Sequence, residues 1–177
     1  DNLLKPVDDH LIVHNELMSS LILGNKIQIH TSEHGIPDLD TTKIVIIGIP
    51  ENRNSIDYLG DELNLNEIRK SLYNLYPGNW STKIADLGNL ILGENVEQTY
   101  GRIISMLSIL FEKNIIPIII GGSHDLLYAN YRAYDSFKST VNIVNIDSNF
   151  DIGDSAKPIN NLSYLGKIIL DEPHNLF

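Results

Sequence analysis

The hydrophobic residues of this chain fall mostly in unbroken runs rather than in alternation. Lys43-Ile44-Val45-Ile46-Ile47-Gly48-Ile49 is one such run, Ile115-Ile116-Pro117-Ile118-Ile119-Ile120 a second, and Val141-Asn142-Ile143-Val144-Asn145-Ile146-Asp147 a third. Thr82-Lys83-Ile84-Ala85-Asp86 is a weaker fourth. Runs of this kind predict parallel strands buried on both faces. Between them the period becomes helical. Ile68, Leu72 and Leu75 follow an i, i+4, i+7 stripe, and Val96, Tyr100, Ile103, Leu107, Leu110 and Phe111 form a longer one. Leu126 through Phe137 reads as a third helix. The order β-α-β-α-β-α-β predicts a three-layer α/β/α fold, a mainly parallel sheet with helices on both faces.

Residues 1–40 have no such rhythm. Leu11-Ile12-Val13 and Leu17 through Leu23 are apolar enough to pack on something, and Gly35-Ile36-Pro37-Asp38 signals a turn into the first strand. We read residues 1–40 as an N-terminal extension packed on the sheet and residues 41–177 as the first part of the α/β domain. His10, His14, His30 and His34 are expected at the surface, and Asp57, Asp61, Glu62 and Glu67 on a solvated face and at a helix start. The chain opens on Asp1 rather than Met and stops on Phe177 just past a helical stretch. Truncation at the C-terminal side is therefore expected.

Charge narrows the partners. With 13 basic and 23 acidic residues the formal net charge is −10. That disfavours nonspecific nucleic-acid binding, which needs Lys and Arg against phosphates, and disfavours an anionic membrane surface. It is compatible with cation binding. The chain has no cysteine, which removes disulfides and thiolate metal sites and fits a cytoplasmic location. The N-terminus has no basic segment followed by a long apolar one, so it does not read as a signal peptide. No run approaches the roughly 18 apolar residues of a membrane span.

Open α/β sheets place their sites at the carboxyl ends of strands. Two strand ends here are polar: Gly121-Gly122-Ser123-His124-Asp125 and Asp147-Ser148-Asn149-Phe150-Asp151. The paired glycines let the backbone turn sharply and leave His124 near the sheet edge. Alone, His124 reads as a histidine hydrogen-bonded in a turn, and Asp147 and Asp151 as loop caps. At neighbouring strand ends they become a ligand set, and imidazole with carboxylates suits Mn²⁺, Fe²⁺ or Zn²⁺. Ser123-His124-Asp125 has the residue types of a hydrolytic triad, but adjacent residues cannot assemble that relay. No nucleophile elbow, dinucleotide fingerprint or phosphate-binding loop is present.

These two segments resemble the ureohydrolases, the arginase/agmatinase/formimidoylglutamase superfamily, which carry Gly-Gly-Asp-His after one strand and Asp-Ala-His-x-Asp after the next. Ile47-Gly48-Ile49-Pro50, with Arg69 later, and Asp86-Leu87-Gly88 resemble two further family motifs. The likeness covers roughly residues 43–151, and Tyr128 through Tyr134 is most similar to the formimidoylglutamase-like branch of Bacteroidetes. The resemblance implies an arginase-like fold and metal-dependent hydrolysis of a C–N bond in a small guanidino or formimino substrate. It implies that His124 and Asp151 hold the first of two Mn²⁺ ions and that Asp147 bridges both. A late Asp-x-Asp pair would lie beyond Phe177. It also implies a homo-oligomer for the full-length protein. Two positions depart from the pattern: Asn149 stands where the family has the His of the second ion, and Ser123 replaces an Asp that supports the site. One ion, two, or none therefore stays open, as does a non-catalytic homologue acting in binding or as a scaffold.

Overall fold

The structure, a computed structural model, describes residues 3–57, 63–137, 141–154 and 156–171. Asp61, Glu62 and the closing residues 172–177 lie outside them. The chain forms two compact units, one within residues 1–50, 64–91 and 110–121, the other within residues 51–63, 92–109 and 122–177.

The first unit holds the sheet. Its spine is β3 (Ile44–Gly48), flanked in parallel by β4 (Ile84–Leu90) and β5 (Ile116–Ile120). The apolar run sets this position: Val45 and Ile47 are fully buried and Ile46 is 2% exposed, as a strand covered on both faces requires. β4 runs four residues past the expected Asp86, so Asp86, Leu87 and Gly88 belong to the strand. β5 tolerates Pro117 because the Ile116 N–H donates to Lys43 O at 2.9 Å. By alternation the proline nitrogen faces the edge away from β3, where no ladder bond is lost.

Residues before the first long strand supply the other edge of the sheet. β1 (Leu4–Lys5) pairs antiparallel with the end of β4, and β2 (Gln28–Ile29) pairs in parallel with its start. Helix α1 (Asp9–Leu17) lies between them, its first turn capped by the Asp8 carboxylate accepting from His10 N–H at 2.9 Å. Val7 and Leu11 pack with Tyr73 and with Ile12, Ile27 and Ile29. One histidine there departs from expectation: His30 is buried, its Nδ1 2.9 Å from Leu87 O.

Helix α2 (Asn66–Tyr73) also departs from the pattern. Ile68 and Leu75 are exposed; the buried face is Leu65, Arg69 and Tyr73. Arg69 is 1% exposed and reaches a fully buried Asp86. Its Nε donates to Asp86 Oδ2 at 2.9 Å and its Nη2 to Asp86 Oδ1 at 3.1 Å, while Tyr73 Oη donates to the same Oδ2 at 2.8 Å. Gly88 O and Asn89 Oδ1 take further guanidinium protons. An arginine in that fork is stable at depth because its charge is paired and its donors are used.

The second unit contains most of α3 (Val96–Glu112), then α4 (Leu126–Arg132) and α5 (Tyr164–Asp171). The α3 stripe is as expected, with Val96, Tyr100, Ile103 and Leu107 buried. The third helix is shorter than the sequence predicts: α4 ends at Arg132 and a 3₁₀ turn follows at Asp135–Phe137. α4 and α5 meet through Tyr131, Tyr164 and Ile168, joined by Val141 and Ile143. The expected strand over Val141–Asp147 does not form. No strand pairs with it among the described residues, and Val144 and Ile146 are 87% and 95% exposed. A run of strand-forming residues becomes a strand only where a neighbour takes its N–H and C=O groups.

Candidate metal centre

Gly121 and Gly122 follow β5 with φ of 81° and 84°, the left-handed region that glycine enters without strain. A Cβ on Gly121 would lie 2.3 Å from Leu65 Cδ2, so a side chain there would also have to displace the buried Leu65. The turn is held from outside by Ser123 N–H, which donates to Glu51 O at 2.8 Å. Glu51 is itself fully buried. Burial pushes its carboxyl up, but donors from Arg53 and Thr99 outweigh that and hold it below the ordinary value.

The turn delivers His124, whose ring is 59% exposed. Its Nδ1 lies 2.9 Å from Asp147 Oδ2 and 3.8 Å from Asp151 Oδ2. One ligand atom from each of the three residues falls within 4.8 Å of the others. Donors about 2.1 Å from a shared cation, at tetrahedral or octahedral angles, stand about 3.0–3.5 Å apart; the His124–Asp147 spacing is close to that range, and Asp151 would have to draw in. The ring of Tyr164 meets His124 edge-on at 6.3 Å.

The two carboxylates differ. Asp147 sits below the ordinary carboxylate range, chiefly because Asn149 N–H donates to its Oδ1 at 3.2 Å, with His124 nearby assisting. Asp151 is pushed up by burial and then by the adjacent Asp147 charge. It is 5% exposed, and neither buried side-chain oxygen has a close hydrogen-bond partner, the Tyr164 hydroxyl and the Asp147 carboxylate standing nearby at longer range. A buried carboxylate with no donor is costly, and a cation satisfies it. The donor set and the orphaned Asp151 oxygens thus fit one divalent ion.

Asn149 stands apart in character. It is exposed, and its amide nitrogen donates to Ser148 Oγ at 3.4 Å. Ser123 does not face the cluster as a ligand either; its hydroxyl donates to Asp125. Sequence reasoning missed the group behind the turn. Asp125 is fully buried and also accepts from Tyr100 Oη, which in turn accepts from Asn54 Nδ2 at 3.1 Å. Burial and then the Asp125 charge raise the Tyr100 phenol far above its usual value, so it stays a donor. Tyr100 gave no such signal in the sequence, where it reads only as part of an apolar stripe.

The fold has counterparts. A profile of the arginase family matches residues 42–169. A formimidoylglutamase from Halalkalibacterium halodurans is 26% identical over 122 residues, covering 60% of this chain and 37% of that protein. Another, from Macrococcus caseolyticus, is 30% identical over 95 residues, covering 50% and 29%. Among solved structures, Trypanosoma cruzi formiminoglutamase with Mn²⁺ superposes with a TM-score of 0.70 at 20% identity, covering 88% of this chain and 55% of that one. Formimidoylglutamase from Bacillus subtilis superposes with a TM-score of 0.70 at 19% identity, covering 88% and 51%. The chain thus spans about half the length of the solved structures it matches, and less of the curated relatives.

Proposed function

From the premise that this chain belongs to the arginase family, we propose that it carries part of a metal-dependent hydrolase site that cleaves a C–N bond in a small guanidino or formimino substrate. The observation that carries the reading is the convergence of His124, Asp147 and Asp151 with two orphaned Asp151 oxygens. His124 and Asp151 would hold a Mn²⁺-type ion, and Asp147, already low in pKa, would remain ionised to share it. When bound, such an ion would lower the pKa of a water and polarise the amidine carbon. Nδ1, the His124 nitrogen facing both carboxylates, would be its ligand atom, and the Gly121-Gly122 turn sets the backbone from which that ring projects. Assay of the Mn²⁺-loaded protein on arginine, agmatine and formiminoglutamate tests the reading. Release of urea, ammonia or formamide that disappears in Asp151→Ala is expected from the full-length protein, and none from this chain alone, which carries only part of the site. A metal-loaded full-length protein that leaves all three untouched would contradict hydrolysis of these substrates.

Asn149 favours a second reading, a homologue that binds without catalysing. A carboxamide oxygen is a poorer ligand than imidazole for borderline divalent ions, and here the amide is exposed and bonded to Ser148. In the full-length protein, Asn149→His should then strengthen binding of a second Mn²⁺ by about 10–100-fold, the scale on which even outer partners of metal ligands act. Calorimetric titration with unchanged stoichiometry would show that position 149 does not face the ion.

A further inference from the structure

Asp125 occupies the N-cap of α4, yet its side chain makes no capping bond to that helix. Aspartate at an N-cap ordinarily accepts from the N–H groups of the first turn. Here the carboxylate is fully buried and turned the other way, one oxygen accepting from Ser123 Oγ and the other from Tyr100 Oη. The bonds bracket His124: Ser123 precedes it, Asp125 follows it, and Tyr100 anchors Asp125 from α3. Asn54 extends the chain of donors to Tyr100, and the backbone of Asn54 is tied to Asn161 N–H at 3.3 Å. A buried charge diverted from a helix that could use it, and satisfied instead across a turn, signals a demand at the turn. We infer that Asp125, held by Tyr100 and Ser123, is the positioning residue that aims His124 at Asp147 and Asp151. The inference rests on His124 being a metal ligand, and it adds to that reading a control point buried behind the site, reached through the hydroxyl of a helix residue.

Two variants test it, Asp125→Asn, which keeps the shape but removes the charge, and Tyr100→Phe, which removes only the donor. The probe is Mn²⁺ alone, titrated into the whole chain, with thermal melting as the check on folding. A merely structural role would lower the melting temperature and leave affinity in the folded protein alone. A positioning role lowers affinity by about 10–100-fold in Asp125→Asn, and by less in Tyr100→Phe, while both still melt cooperatively. Affinity within about twofold of the parent in both variants overturns the inference. Should Asp125→Asn fail to fold, Tyr100→Phe decides by the same criterion. Should the parent itself bind no Mn²⁺, the metal reading fails separately, and the ¹⁵N spectrum of the His124 ring decides the positioning. Ring signals displaced in both variants support it; signals identical to the parent overturn it.

Discussion

Asp151 concentrates the conflict between stability and site chemistry in one side chain. Burial and the neighbouring Asp147 raise its pKa, so the folded chain retains a proton that the unfolded chain has released. Between an ordinary aspartate pKa of about 3.9 and its own higher value, stability from this group falls as pH rises. Asp147 has the opposite sign: its depressed pKa gives stability that is present above the ordinary value and lost as pH falls through the depressed one. Asp147 is the more readily ionised of the two, and ionising Asp151 in its buried setting works against the fold. Asp151→Asn should therefore stabilise the metal-free protein by about 1 kcal/mol, the lower end of what an unsatisfied buried group costs, or about 2–4 °C in a thermal melt for a chain of this size. The same variant should lose any rise in melting temperature on adding Mn²⁺. A lower melting temperature at pH 7 would show the carboxylate to be satisfied. At this scale the sequence exposed the candidate ligands: His124 follows two glycines at the end of β5, and Asp151 lies in a polar segment after an apolar run. It concealed His30, whose partner is the carbonyl of Leu87, 57 positions away; no local pattern encodes such a contact.

Elements were legible where their neighbours are present. The run Lys43–Ile49 became the central strand because β4 and β5 take its backbone groups on both sides. Val141–Asp147 has equal strand character and is unpaired, which shows that the pattern states a preference and pairing realises it. Amide hydrogen exchange should therefore separate them: Val45 and Ile47 among the slowest amides, Val144 and Ile146 near the unprotected rate. Comparable protection in both segments would mean that 141–147 has found a partner in solution. Helix α2 misled for another reason. Hydrophobic periodicity scores arginine as polar, yet Arg69 faces inward because Asp86, Asn89 and Gly88 use its donors. Arg69→Met leaves the Asp86 charge buried and unpaired. It should cost about 3–5 kcal/mol, readable in urea unfolding at pH 7; a loss under 1 kcal/mol would show that Asp86 takes up a proton or finds water instead.

Across the whole molecule, one unit carries the sheet and the other carries the cluster. The βαβ order made the first readable, since a parallel sheet follows from strand runs separated by helices. The cluster was readable only as residue types following apolar runs; the hydrogen bonds behind it draw Asn54 and Tyr100 from distant positions to Ser123 and Asp125, each residue ordinary alone. No helix among the described residues is long and apolar enough to cross a membrane. The proposed function requires that His124, Asp147 and Asp151 form a cation site. Calorimetric titration of the chain with Mn²⁺ at pH 7.5, run beside His124→Ala and Asp151→Ala, measures it directly. The account predicts saturable binding in the parent chain that both substitutions abolish while leaving the fold intact. Absence of binding in the parent, or binding that survives both substitutions unchanged, would contradict it.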